Sequence, residues 1–372
     1  MPRACYIHIP FCLSKCKYCS FVSFNKPELI TGYIYSLLKE ISENYKGENL
    51  QTLYFGGGTP SLISIELLSK VIKKFNLENN GEVTIEVNPD DCTMDYLKGL
   101  KEIGFNRLSI GSQTFDDNLL KLIGRRHNSK QILYTVQNAK SVGFKNISLD
   151  LIYGLPTQTT ENIKKDLEKY LELNIQHIST YGLKIEGGSY WGGKYIGGKS
   201  IEDASILKKI PDDDTQADMY ELINNILTLA GYKRYEVSNF AKQEFESKHN
   251  LTYWNNEEYY GFGVSAHGYV DGVRYSNYCT IEEYMDNPTS HEYGRILNEQ
   301  EKLEEEIFLG FRKTSGIDIY KIREKFNIDF KEKYENILEK YSDYIIETKN
   351  GYAFNLKGMM LSNEILPEFI ED

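Results

Sequence analysis

The chain has 372 residues, 41% of them apolar and 26% charged, with 54 acidic against 43 basic side chains and a formal net charge of -11. That length buries a large core and exceeds a single small module, and the composition is neither disordered nor collagen-like. The acidic excess speaks against a generic nucleic-acid or anionic-membrane binder, which needs a positive surface, so no nucleic-acid partner is expected. No run approaches the roughly 20 apolar residues of a membrane span, and Met1-Pro2-Arg3 leads into a strand-like stretch rather than an apolar leader. A reducing, cytoplasmic location is expected.

Apolar runs predict strands at Cys5–Ile9, Thr52–Phe55, Val83–Val87, Arg107–Ile110, Ile147–Leu151 and Ile178–Leu183. Between them, apolar residues at three- and four-residue spacing predict helices over Glu28–Asn44, Ile65–Phe75, Tyr96–Ile103, Lys130–Val142 and Glu161–Leu173. Such alternation implies a parallel sheet with crossover helices. Chemistry-bearing residues follow one strand after another: the cysteines after Ile9, Gly56-Gly57-Gly58 after Phe55, Glu86-Val87-Asn88-Pro89, Ser109 to Gln113, Asp150 and Tyr181. Convergence at six strand ends favours a barrel over an open doubly wound sheet, which uses mainly its switch point.

From Trp191 to Pro211 the pattern lapses into Gly- and Lys-rich irregularity, before a helix over Thr215–Ala230 and a strand around Arg234–Val237. Phe240 to Tyr278 is aromatic-rich and Gly-punctuated, which suggests ordered loops. After Asn287-Pro288, helices at Gln300–Arg312, Ile319–Phe326 and Phe330–Glu339 lead to strands Tyr344–Thr348 and Tyr352–Asn355, joined by an Asn-Gly hairpin signal. The division expected is a barrel core over 1–240, an aromatic and Gly-rich segment over 241–295, and a helical, winged-helix-like domain over 296–372. Glu301, Glu304, Glu305 and Glu306 make the first helix of that domain acidic, which favours a packing or partner-docking role over a nucleic-acid reader.

The six cysteines are unevenly spread: Cys5, Cys12, Cys16 and Cys19 crowd the amino end, while Cys92 and Cys279 stand alone and read as buried small hydrophobes. Cys12, Cys16 and Cys19 form C-x3-C-x2-C with Tyr18 before the last thiol. Three thiolates on one loop can hold three irons of a [4Fe–4S] cubane and leave the fourth open. A structural zinc would recruit a fourth Cys or His; Cys5 and His8 are the alternatives, both awkwardly placed on the preceding strand.

This motif resembles the radical S-adenosylmethionine (SAM) superfamily. The resemblance implies a partial (β/α)6 TIM-like barrel in which SAM chelates the open iron and is cleaved to a 5′-deoxyadenosyl radical. Tyr6-Ile7-His8-Ile9-Pro10-Phe11-Cys12, Tyr54 to Ser61, Arg107 to Gln113 and Asp150 to Pro156 resemble the anaerobic coproporphyrinogen III oxidase-like branch. By position, that resemblance implies SAM contacts at Tyr6, Tyr18, Gly57, Gly58, Thr59, Glu86, Gln113, Arg125 and Asp150. Glycines admit close backbone approach, the two carboxylates suit the SAM amine or ribose, and Arg125 suits its carboxylate.

The oxidases of the branch extend the motif by a further cysteine, and Phe21 stands in its place here. Together with Cys12 lying so near the amino end, this resembles the HemW-like haem chaperones. His249-Asn250-Leu251-Thr252-Tyr253-Trp254 fits their HNxxYW pattern, and Glu236 to Ala241 also fits. Imidazole is a common axial ligand and aromatic rings can flank a macrocycle, so the resemblance implies His249 as a haem ligand, with His267 next in line. Without it, His249 reads as a hydrogen-bonded core histidine. His177 and His291 read as structural or exposed, and His127 as a site-edge residue without a role. The expected function is binding of a [4Fe–4S] cluster, SAM and haem, with delivery of haem to an apo-haemoprotein. The alternatives are a radical SAM oxidoreductase acting on a tetrapyrrole and a methyl- or carbon-transfer enzyme, so enzymatic turnover stays open.

Overall fold

A computed structural model describes residues 1–197 and 205–371. Six strands, β1 (Ala4–Ile9), β2 (Asn49–Gly57), β3 (Asn76–Val87), β4 (Arg107–Gln113), β5 (Asn146–Tyr153) and β6 (His177–Gly182), lie side by side in chain order and all parallel. Helices Ile30–Asn44, Ile65–Ile72, Met94–Glu102, Ser129–Ser141 and Thr160–Glu172 make the successive crossovers. This singly wound order is the partial (β/α)6 barrel expected from the spacing of the motifs. Four of the helices start where the sequence supplies a capping side chain: Ser64, Thr93, Asn128 and Thr159 each accept a backbone N–H in the first turn.

Both faces of these strands are covered, as parallel strands require, but by different chemistry. Ile85, Leu108, Ile110, Ile147, Leu149 and Ile178 pack in the main apolar core, each contributing about 1.5–3 kcal/mol. The alternate positions carry Thr84, Arg107, Ser109, Ser148, His177 and Ser179, all buried. The two-residue period thus turns polar side chains toward the barrel axis. There, Ser148 Oγ and Tyr235 OH take up the two ring nitrogens of His177 at 2.7 and 2.8 Å, which makes His177 structural.

The barrel does not close on itself. Among the described residues, β7 (Lys233–Arg234) and β8 (Asn239–Ala241) extend the sheet antiparallel beyond β6. On the other side β9 (Tyr259–Phe262) runs parallel to β1, followed by antiparallel β10 (His267–Val270), β11 (Val273–Ser276) and β12 (Tyr293–Ile296). The aromatic stretch expected as loops therefore supplies strands. Tyr260, Phe262 and Val264 join the main core, and Gly261 and Gly268 lie where a Cβ would strike the His267 backbone or the Tyr275 ring. Cys92 is buried, but Cys279 is exposed, contrary to expectation: it lies between the end of β11 and the helix Ile281–Asp286, its N–H bonded to Glu292. The stretch expected to be irregular begins with a helix, Tyr190–Gly197, in which Gly192 has no Cβ to strike the Glu186 carbonyl and Trp191 is fully buried. Residues 198–204 of that stretch lie outside the described residues.

A second core gathers Leu303, Ile307, Phe311, Phe330, Phe354 and Phe369. Helices Glu299–Gly310 and Ile319–Phe326 surround it with a third that breaks at Tyr334 into Phe330–Lys333 and Glu335–Lys340. The hairpin Ile345–Glu347 and Gly351–Phe354 completes the winged-helix-like layout. Val237 N–H bonds the Arg312 carbonyl at 2.9 Å and Thr314 N–H bonds Tyr235 at 3.1 Å, so this unit docks on the β7–β8 turn.

Glu40, on the first helix, fastens that helix to the strands beyond β1. Its buried carboxylate accepts from Tyr284 OH at 2.5 Å, Asn277 Nδ2 at 2.6 Å and Gly263 N at 2.9 Å. Burial nonetheless lifts its carboxyl from 4.5 to about 7. The unfolded chain loses this proton first, so stability falls as pH climbs between those values. Urea unfolding should therefore show the balance between Glu40→Gln and the parent moving toward the variant from about pH 5 to about pH 8. A difference independent of pH would contradict the assignment.

Candidate cofactor site

The loop after β1 is fastened on three sides by backbone bonds. Cys12 N–H reaches Phe24 at 3.1 Å and Phe24 N–H reaches Pro10 at 2.6 Å, which closes the base of the loop. Lys17 N–H bonds the Ile123 carbonyl at 3.0 Å, and Trp191 N–H bonds the Lys17 carbonyl at 2.9 Å. Cys12, Cys16 and Cys19 are held on the rim of a cavity of about 460 Å³ at the carboxyl ends of the parallel strands. Among the described residues no three His, Cys, Asp or Glu side chains are arranged to hold a single metal ion. Three thiols are the ligand number of a cubane with one open iron and one short of the four ligands of a structural zinc. Cys5 is fully buried in the main core, and the His8 ring is bonded to Tyr6 OH at 3.1 Å and the Val22 carbonyl at 2.9 Å. Neither lines the cavity.

The opposite wall is backbone. Gly57 has φ +111°, and a Cβ there would lie 2.7 Å from the His8 ring; at Gly58 it would lie 2.7 Å from the Phe11 carbonyl. Glycine is what lets β2 turn against β1 at this point. Thr59 Oγ1 lies 3.4 Å from Cys12 Sγ. Arg125 places Nη1 3.6 Å from Cys16 Sγ, while its Nη2 donates to Asn88 Oδ1 and to the Gly111 carbonyl, both at 2.6 Å. Gln113 takes φ +65° where β4 ends. The turn after it is held by buried Asp166, which accepts from Thr114 Oγ1 at 2.7 Å and Phe115 N at 2.6 Å.

Two carboxyls face this cavity from inside the barrel. Glu86 accepts from Tyr54 OH at 2.8 Å and from Gly57 N at 3.2 Å, and burial raises it to about 7. Burial raises Asp150 to about 6, with Ser109 Oγ 3.4 Å away. A ligand carrying a cationic centre would draw both back to their ionised forms. Tyr18, Gly57, Gly58, Thr59, Glu86, Gln113, Arg125 and Asp150 all line the same cavity. Tyr6 does not. It lies a layer deeper, its ring 6.1 Å from that of Tyr54.

Asn88 is the residue whose part the sequence does not announce. Its Nδ2 donates to Thr59 Oγ1 at 3.2 Å while its Oδ1 receives Arg125, so it links two walls of the cavity. The only signal is its place two residues after Glu86 at a strand end. Ser109, Tyr181 and His127 line the cavity as well; burial and the nearby Arg125 lower the His127 imidazole to about 3, which keeps it neutral.

His249 stands elsewhere. It belongs to the short helix Lys248–Trp254, whose first turn is held by Glu82 accepting from Lys248 N at 3.2 Å and His249 N at 3.3 Å. The imidazole is 1% exposed, with Nδ1 2.8 Å from Thr52 Oγ1 and Nε2 2.8 Å from Tyr253 OH. It stacks on Tyr54 at 4.9 Å, and burial lowers it to about 3. Thr52 pairs with Ala4 at the start of β1, so His249 plugs the barrel at the end opposite the cysteines. His267 is exposed at the start of β10.

Two family profiles match the chain, the Radical SAM superfamily over residues 6–170 and the HemN C-terminal domain over residues 297–360. The solved coproporphyrinogen III oxidase (HemN) from Escherichia coli has a TM-score of 0.85 with this fold, covering 99% of this chain and 90% of that one at 23% identity. Fold and profiles together define a radical SAM protein with a HemN-type carboxyl-terminal domain. Heme chaperone HemW from Lactococcus lactis is 40% identical, covering 100% of this chain and 98% of that protein. The Bacillus subtilis HemW is 35% identical over 99% of both. The chain belongs to the HemW family.

The turn at Gly57 offers a direct check on the cavity wall. Gly57→Ala should cost at least about 1–2 kcal/mol from the left-handed backbone alone, before the His8 ring is displaced. Chemical denaturation measures it, and a loss under about 0.5 kcal/mol would show that the turn relaxes without cost.

Proposed function

We propose that the chain binds a [4Fe–4S] cluster through Cys12, Cys16 and Cys19 and SAM through the cavity wall, and that it carries haem to apo-haemoproteins, a reading supported by relatives named heme chaperones. The carrying observation is that three cysteines and eight of the nine residues expected at SAM line one cavity, in a chain matched end to end by heme chaperones. Among the described residues no helix is long and apolar enough to cross a membrane, and the cytoplasm is the proposed place of work. The proposed division into barrel, 241–295 segment and carboxyl-terminal domain is supported by Tyr260, Phe262 and Val264 of the segment packing in the main core, while the carboxyl-terminal residues gather in a core of their own.

The cluster, when bound, supplies an open iron and a reducing electron. The chain's own residues do the rest. Gly57 and Gly58 present backbone to the amino-acid end of SAM, Arg125 pairs with its carboxylate, and Glu86 and Asp150 take the amine or ribose hydroxyls. Tyr6 supports this wall through Tyr54, which holds Glu86. Asn88 holds Thr59 and Arg125 at a fixed separation.

His249 enters this reading with both ring nitrogens engaged, so ligation of haem iron requires release of Thr52 or of Tyr253. A haem titration with His249→Ala separates the roles. Weaker binding with an unmoved Soret band marks a residue acting through Tyr253, whereas a changed ligation spectrum marks a ligand.

The cluster has its own test. Anaerobically reconstituted Cys16→Ala should lose the iron–sulfur absorbance and its bound iron; retention of both would refute the ligand set. Absence of saturable haem binding by the parent protein would refute the chaperone reading.

A further inference from the structure

The molecule has a second concavity besides the cofactor cavity. A groove of about 810 Å³ lies between the helix carrying His249, strands β9, β11 and β12, and the helix Glu299–Gly310. Its volume falls in the range of ligand sites. It opens at the amino-terminal end of the barrel, since Tyr259 in its wall pairs with Ala4 at the start of β1. The cysteines occupy the other end.

The lining joins aromatic rings to two arginines and four glutamates, Glu257, Glu301, Glu304 and Glu305. Trp254, Tyr259, Tyr293 and Phe308 supply ring surface, and Arg274 and Arg295 supply charge. Tyr293 is 50% exposed and Phe308 38% exposed, so large rings face solvent in one groove, and clustered exposed apolar surface marks interaction sites. The Trp254 indole nitrogen is buried and has no acceptor. None of the lining residues is His, Cys or Met.

We propose that this groove is the tetrapyrrole seat, with the macrocycle lying against the aromatic walls and its carboxylate side groups on Arg274 and Arg295. The proposal rests on the haem-carrying reading above and gives it a place. A flat conjugated ligand gains from ring-on-ring contact, and guanidinium groups suit carboxylates. Holding the ring without an imidazole or sulfur ligand suits a carrier that must release its cargo. His249 then acts as a positioning residue, its imidazole holding the hydroxyl of Tyr253 in the groove wall.

Both arginines are paired with glutamates of the groove. Arg274 Nη2 lies 2.6 Å from Glu305 Oε2, and Arg295 is paired with Glu301. The cargo's carboxylates must compete with these two glutamates, so removing one should improve binding. That gain is something a merely structural role would not produce.

The experiment titrates the full chain with haem, followed by the Soret band, and with zinc protoporphyrin, followed by fluorescence. Both should bind saturably and with affinities within about threefold of each other, because the seat reads the ring and its carboxylates rather than the iron. Tyr293→Glu and Phe308→Glu, both at exposed positions, should weaken both ligands at least about tenfold. Glu301→Gln should tighten both by up to about fivefold, the worth of one exposed ion pair. Cys16→Ala should leave both affinities within about twofold. Parent-like binding in the two Glu variants, with loss in Cys16→Ala, would overturn the groove and place the cargo at the cluster, with the haem reading intact. Failure of the parent protein to bind either porphyrin would instead overturn the haem reading itself.

Discussion

The backbone pairing that closes the base of the cysteine loop, Cys12 to Phe24 and Phe24 to Pro10, is the constraint on which the carboxyl end of the barrel depends. Free loops of this size sample many conformations, and three thiols on such a loop would meet only at a large entropic cost. Here the loop is also held by Ile123, from the segment that leads to Arg125, and by Trp191, at the start of the helix after β6. The cysteines therefore inherit the rigidity of three separate parts of the fold. Preorganisation of this kind is what lets one wall present thiols while the facing wall presents Gly57, Gly58 and Thr59.

The barrel interior carries this order from one end to the other. Tyr6, Tyr54 and His249 lie ring against ring, with Glu86 bonded to Tyr54 above and Thr52 bonded to His249 below. Each polar atom in this column needs a partner once removed from water, and the column provides one. Inside the barrel, buried Thr84 Oγ1 is left without a partner, as is Nε of Arg107, which is 2% exposed. The Arg107 charge still bears on Asp150, Glu86 and His249, which holds the two carboxyls below the values that burial alone would impose and adds to the burial that keeps the imidazole neutral.

The open side of the barrel explains the rest of the chain. A partial barrel leaves β1 and β6 without each other, and exposed strand edges invite association. β9 to β12 cover one edge and β7 and β8 the other. The carboxyl-terminal unit docks on the β7–β8 turn, and the groove forms where its first helix meets β11 and β12. The acidic face of that helix, which the sequence marks as a docking or packing surface, supplies Glu301 and Glu305 to the two groove arginines.

The strand–helix alternation, the barrel and the cysteine loop are legible in the sequence, because they follow from periodicity and from motifs at strand ends, and most of the cavity wall is legible through the family resemblance that those motifs carry. Each signal lies within a few residues of the feature it reports. Residues that act through distant partners are not legible in this way. Asn88 owes its part to Thr59 and Arg125, and Tyr6 falls a layer below the cavity because alternation along β1 points its ring into the barrel. The exposed Cys279 and the strands hidden in the aromatic stretch likewise depend on which surfaces meet. His249 marks the division most plainly. The order of residues is enough to set a histidine beside Tyr253 and Trp254. That its two nitrogens are spent on Thr52 and Tyr253, at the end of the barrel away from the cysteines, belongs to the folded molecule alone, because hydrogen-bond partners are chosen by packing across the chain and not by neighbours along it.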